Sequence, residues 1–290
     1  MPELPDLVHI ESKLRSAIAG RAITGARTGD PTTLRIMVRA PFPAVLVGRT
    51  IREVVRRGHF ICLDLDEDLV VVVNLMLAGR FFLVEAGDPK LPRALALALE
   101  VGDTEVRIVD EKRMAKVYVA PRAELGQIPV LGKLGVEILS PELTPQRFEK
   151  IIGKRRDQVR QFLMDKTALA SVGNAYADEI LFAARLHPKT FCNRLTPDDR
   201  QRLFHAIGEV MRKAIEEIAR RDPPVDAKLR DFLAVRGRDG KPCPVCGTTI
   251  RAVRVGDGDA CFCPHCQPAA RKMFVDWGKL PPPGEGDGES

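Results

Sequence analysis

The sequence predicts an α+β protein: an antiparallel β-sandwich capped by an N-terminal helix, then an all-α region, then a C-terminal β-hairpin built around cysteines. Three observations predict it. Leu7, Ile10, Leu14 and Ile18 recur at helical spacing, and Gly20 stands where a C′ glycine stops a helix. From about residue 22 to 119, short apolar or β-branched runs follow one another, separated by Gly, Asp and Pro, with no helical pattern between them. Five of the seven cysteines fall between Cys243 and Cys266.

The expected strands are 44–47, 60–65, 69–73, 81–84, 94–99, 105–109 and 116–119; alternation is clearest at Glu105-Val106-Arg107-Ile108. Near 132–143 the pattern changes to helices, expected at 145–152, 158–165, 174–186 and 196–220. The last has the strongest signals. Thr196 suits an N-cap, Pro197 the first helical position, and Asp198 and Asp199 the positive helix end; Asp222-Pro223-Pro224 ends it. These shifts divide the chain into a β unit at 2–131, a helical unit at 132–235, a cysteine module at 236–267 and a tail at 268–290. The tail closes on Pro281-Pro282-Pro283-Gly284 and is expected to be partly disordered.

Hydrophobic residues make up 45% of the 290 and charged residues 29%, which excludes global disorder. The net charge of +6 is compatible with a polyanionic partner but does not require one. No apolar run reaches the roughly 18 residues of a membrane span, since Asn74 breaks the longest candidate. Neither a basic n-region nor a long apolar h-region opens the chain, so no secretory signal and no membrane association are expected. Clustered cysteines argue for metal in a reducing, cytoplasmic setting.

Cys243-Pro-Val-Cys246 and Cys263-Pro-His-Cys266 flank sixteen residues. Two CxxC knuckles put four thiolates around one ion, and that gap fits a β-hairpin, so one structural zinc is expected on Cys243, Cys246, Cys263 and Cys266. Four protein ligands close such a site to chemistry. Cys261 and His265 are spare candidates, read as an inert thiol and a solvent-facing imidazole; Cys62 and Cys192 read as buried thiols. From Asp226 to Arg254 seven basic residues stand against three acids, which suits phosphate contact, although a solvated charged face has the same composition.

At the start, Met1-Pro2-Glu3-Leu4-Pro5 has a specific chemical potential. Removal of Met1 leaves Pro2 as a secondary amine, which can attack an aldehyde carbon to form an iminium. Glu3 beside it can act as general acid and base. On its own the motif reads more simply as a proline leading into a helix.

Pro-Glu-Leu-Pro at the N-terminus, a β-rich first half, a Gly173-Asn174 junction and the terminal CxxC…CxxC hairpin together resemble the formamidopyrimidine-DNA glycosylase / endonuclease VIII family. The resemblance spans about residues 2–267. It implies a base-excision repair enzyme that removes oxidised bases and cuts the strand at the abasic site. It also implies a helix–two-turn–helix domain, a zinc finger, a monomer, and double-stranded DNA carrying damaged bases or abasic sites as partner. Pro2 then matches the Schiff-base nucleophile, Glu3 the proton donor and Asn174 a phosphate-binding asparagine. Lys154, in a basic run with Arg155, Arg156 and Arg160, lies where the family places a phosphate-binding lysine.

The chain also departs from the pattern. His59 replaces the lysine that the family assigns to β-elimination. Gly258, between Asp257 and Asp259, replaces its hairpin arginine, for which Arg251, Arg254 or Arg238 could compensate. Leu77 stands for the intercalating methionine, and Arg113-Met114 for the void-filling Arg-Phe pair. The lesion-capping loop is shortened between Phe232 and Val235. These losses keep two other readings open: a non-enzymatic protein that binds damaged DNA, and a lyase acting only on abasic sites.

Overall fold

The computed structural model describes residues 1–90 and 92–269; the tail expected from 268 therefore lies, beyond 269, outside the described residues. Helix α1 (Leu4–Ile18) begins with the Glu3 N–H donating to Asp6 Oδ2 at 2.8 Å, and Gly20 follows its end at φ +78°. Its apolar stripe divides between two cores. Leu7, Ile10, Leu14 and Ile18 enter the sandwich, whereas Leu4 enters the core of the helical part.

The sandwich holds β1 (Gly25–Arg27), β2 (Leu34–Ile36), β3 (Ile51–Arg57), β4 (Phe60–Leu65), β5 (Leu69–Asn74), β6 (Arg80–Glu85), β7 (Leu95–Val101), β8 (Thr104–Val109) and β9 (Lys116–Pro121). One sheet runs β1-β7-β8-β6 and the other β2-β9-β5-β4-β3. All neighbours are antiparallel except β2 and β9. Ile61, Leu63, Val71 and Val73 face the inter-sheet core, while Phe60, Cys62, Val70 and Val72 pack outward under a second cluster with Leu125 and Ile128. Burial on both faces is why β4 and β5 read as nearly unbroken apolar runs.

The expected strands differ from the observed ones in two ways. Residues 44–47 are not a strand: they belong to a run of turns from 42 to 48, where Pro41 and Pro43 supply no ladder donors and Gly48 turns at φ +85°. The missed strands of the sandwich are the short β1 and β2 and the longer β3. Arg52, Glu53, Arg56 and Arg57 hid β3, and a bulge between Ile51 and Glu53 breaks its alternation, yet Ile51 and Val54 are fully buried.

Beyond the sandwich come α2 (Pro145–Ile152), α3 (Val159–Met164), α4 (Asn174–Ala183) and α5 (Pro197–Arg221), with a short parallel pair, β10 (Val136–Glu137) and β11 (Leu169–Ala170). Thr196 caps α5 through Asp199, as expected. Helix α4 stops short of residue 186 because Arg185 turns at φ +57°. The chain ends its described part in the hairpin of β12 (Arg251–Val255) and β13 (Gly258–Phe262). No helix among the described residues is long and apolar enough to cross a membrane.

Candidate active site at the N-terminus

Glu3 sits where the two halves of the chain meet. Its Oε1 accepts the Ala175 N–H at 3.0 Å and its Oε2 the Tyr176 N–H at 3.1 Å, so one carboxyl closes the open amide end of α4. Gly173 makes this possible: a Cβ there would lie 2.5 Å from Glu3 Cδ. Burial pushes the Glu3 carboxyl above the ordinary carboxylate range, and the two amides oppose that shift. Further ties cross the same junction. Leu4 N–H donates to the Ser171 carbonyl, Asp6 takes a two-pronged pair from Arg230, and Arg56 bridges Glu137 and Ser171.

Pro2 is buried between α1 and the segment 225–228. The amine of Met1 donates to the Leu77 carbonyl at 3.2 Å, and its pKa is pushed down to about 6 by burial and by the charge of Lys228. Two half-buried lysines stand near this terminus. Lys228 lines the pocket beside Pro2, and Lys166 Nζ reaches within 3.9 Å of Met1 Sδ. Lys228 falls in the basic segment 226–254 without being singled out there, and nothing in the sequence marks Lys166.

His59, the candidate catalytic group in place of a lysine, is not a cation here. It is buried at the β3–β4 turn, stacks on Phe60 at 4.3 Å, and its Nδ1 has no partner. Desolvation and nearby Lys166 push its pKa down to about 4, so the ring is neutral at physiological pH.

Leu77 projects from the turn after β5 with 56% of its surface exposed, above a pocket shared with Lys112 and Lys228. Arg113 is extended into solvent at φ +53° and pairs with Asp30 at 3.2 Å; Met114 is half-buried. Both lie on a turn that Asp110 organises by accepting the N–H groups of Lys112, Met114 and Ala115. Lys154 and Asn174 are exposed, and Arg238 reaches the Pro242 carbonyl at 3.2 Å.

The basic run before α4 separates in space. Lys154 faces solvent, whereas Arg160 is buried and pairs through Nε with Asp178 at 2.7 Å. Its Nη2 donates to Asn174 Oδ1 and to the Asp259 carbonyl. Arg236 joins the same Asp178 and the same carbonyl, and the Cys261 N–H donates to Asp178. The hairpin tip is thereby fastened to the start of α4, and Arg160 Nη1 lies 3.7 Å from where a Gly258 Cβ would be.

The ligand atoms of Cys243, Cys246, Cys263 and Cys266 all lie within 4.8 Å of one another, with several sulfur separations of 3.5–3.9 Å. Tetrahedral zinc with about 2.3 Å bonds needs sulfurs about 3.8 Å apart, so the four thiols fit one structural zinc ion. Cys261 turns into the small hairpin core and His265 is exposed, so neither joins them.

Comparisons with known proteins agree with this arrangement. Residues 1–117 match the formamidopyrimidine-DNA glycosylase N-terminal domain, 134–221 its H2TH domain, and 240–269 the zinc finger found in FPG and IleRS. The formamidopyrimidine-DNA glycosylase of Symbiobacterium thermophilum is 33% identical over 275 residues, covering 92% of this chain and 90% of that protein. That of Exiguobacterium sibiricum is 31% identical, covering 93% and 100%. The MutM (Fpg) structure from Thermus thermophilus superposes with a TM-score of 0.80 at 30% identity, covering 92% of this chain and 98% of that one. A Lactococcus lactis Fpg complex with abasic-site DNA gives 0.81 at 25% identity, covering 92% and 100%. The chain belongs to the formamidopyrimidine-DNA glycosylase family.

Proposed function

We propose that this protein is a base-excision repair DNA glycosylase that also cuts the strand at the resulting abasic site, acting on double-stranded DNA with oxidised bases. The observation that carries this reading is the Glu3 carboxyl, buried beside Pro2 and clamped by the first amides of α4. With Met1 removed, the Pro2 nitrogen attacks C1′ of the extruded nucleotide and the base leaves with the glycosidic electron pair. Glu3, its proton affinity raised by burial, protonates the ring oxygen as the sugar opens to the iminium. Burial and Lys228 lower the pKa of the Met1 amine to about 6, and the same surroundings would favour a neutral Pro2 amine once Met1 is removed.

Extrusion leaves a gap in the duplex, which Leu77, Arg113 and Met114 fill from two adjacent turns of the sandwich. Asn174, Lys154 and Arg238 contact the phosphate backbone. In this reading the working units are 2–131, 132–235 and the zinc module 236–267, with DNA held across their junction.

Borohydride reduction in the presence of an abasic duplex tests the reading. The expected result is a stable protein–DNA adduct mapped by mass spectrometry to Pro2 and strongly weakened in Pro2→Gly. Purified protein that retains Met1, or an adduct mapped elsewhere in wild type, overturns it, because the nitrogen of a Met1–Pro2 amide is not a nucleophile.

A further inference from the structure

We propose that Lys166 is a further catalytic residue, whose ammonium holds the phosphate that leaves when the strand is cut. The inference rests on the reading of Pro2 and Glu3 above.

Lys166 belongs to the turn after α3, and its carbonyl accepts the Gly135 N–H at 2.8 Å, which fixes the backbone between β10 and β11. From there the side chain reaches the N-terminus, where Nζ lies 3.9 Å from Met1 Sδ. It is half-buried, and no ion pair holds it among the described residues. A partly desolvated ammonium without a counter-charge is costly, and the nearby carboxylates are committed elsewhere. Asp165 serves Arg155 and Thr167, Asp6 serves Arg230, and both Glu3 oxygens serve α4. The site therefore has a cation left over that an anionic substrate group would match. His59, close enough to feel the lysine charge, is neutral and supplies no cation at the position where the family has a lysine. Burial lowers the Lys166 pKa and the nearby Glu3 charge opposes this, so an anion brought beside it would favour the ammonium further.

In the cutting step, the C2′ proton passes to the Glu3 carboxylate and the C–H pair becomes the C2′=C3′ bond. The C3′–O3′ bond breaks and its pair leaves on the phosphate, whose second negative charge grows facing Lys166 Nζ. Stabilising that charge speeds elimination and leaves attack by Pro2 untouched.

The test uses the full, zinc-loaded protein at saturating concentration on a duplex with one abasic site. Lys166→Gln is expected to slow strand cutting about tenfold or more, with the borohydride adduct at Pro2 still formed. The salt dependence of DNA binding should weaken by about one unit of log–log slope, as for one lost phosphate contact. Lys166→Arg should keep the wild-type slope and recover most of the rate. Wild-type cutting and slope in Lys166→Gln overturn the proposal, as does a folded Lys166→Arg that behaves like Lys166→Gln. Absence of any Pro2 adduct in wild type instead overturns the underlying function.

Discussion

Arg160 Nη2 donates to Asn174 Oδ1 at 2.9 Å, so the amide NH2 of this exposed asparagine is turned away from the guanidinium and left to donate outward. The same guanidinium binds buried Asp178 and the Asp259 carbonyl, which holds the hairpin tip against the start of α4. Gly258, where an arginine would have been expected to add phosphate contacts, thus faces an arginine already present from α3.

The sign of one substitution follows. Gly258→Arg should not tighten DNA binding, because the new guanidinium would stand against Arg160 and compete for Asn174. Arg160→Lys keeps the charge but cannot span Asp178 and Asn174 together. It should raise Kd for an abasic duplex several-fold, by about 1 kcal/mol. Fluorescence anisotropy on both variants checks this; tighter binding by Gly258→Arg would show that the tip has an unfilled phosphate site.

Gly173→Ala should damage the site by direct contact, though it lies 170 positions from Glu3 in sequence. Its Cβ would come within 2.8 Å of Glu3 Oε1 and push the carboxyl off the α4 amides. Loss of this cap should cost about 1–2 kcal/mol of stability. Base removal should fall more than binding in single-turnover assays. Gly126→Ala, where a Cβ meets nothing within 4 Å, serves as the control and should change neither.

Acid should destabilise the fold through His59. Its folded pKa of about 4 lies below the reference value of 6.5, so the unfolded state binds the proton first. The stabilisation is complete above pH 6.5 and is lost as pH falls toward 4, by about 3 kcal/mol at most. Denaturant unfolding across pH 4–7 should therefore show a shallower acid limb for His59→Gln. Identical limbs would mean that the imidazole is solvated.

Zinc removal should act locally. Cys263→Ser, or a strong chelator, should release the single ion and free the hairpin from Asp178 and Arg160. Hydrogen exchange should speed up across 240–262 and at the start of α4, while β4 and β5 stay protected. Global unfolding on chelation would show that the zinc supports more than its own module.

Much of this was legible in the sequence because the signals were local. Thr196, Pro197 and Asp199 write the start of α5 within four residues, and the two CxxC knuckles fix their own ligand set by spacing. The apolar runs of β4 and β5 declare strands buried on both sides. Pro2 and Glu3 could be singled out because a secondary amine beside a carboxyl has a specific chemistry; their roles belong to the proposed function. The β3 strand was not legible, since its edge position lets charged residues fill the outward places while Ile51 and Val54 carry the contact with the inter-sheet core.

What the tertiary structure alone decided is how charges that look equivalent in sequence are used. Lys154 and Arg160 sit six positions apart in one basic run, yet one is solvated and the other is buried against Asp178. His59 is neutral because strand pairing and the helical part remove water from it, and Lys166 reaches the N-terminus from the far side of that junction. Protonation state and pairing depend on solvent exclusion and on distances across more than a hundred residues of chain. Local residue spacing carries neither quantity, so these assignments come only from the folded arrangement.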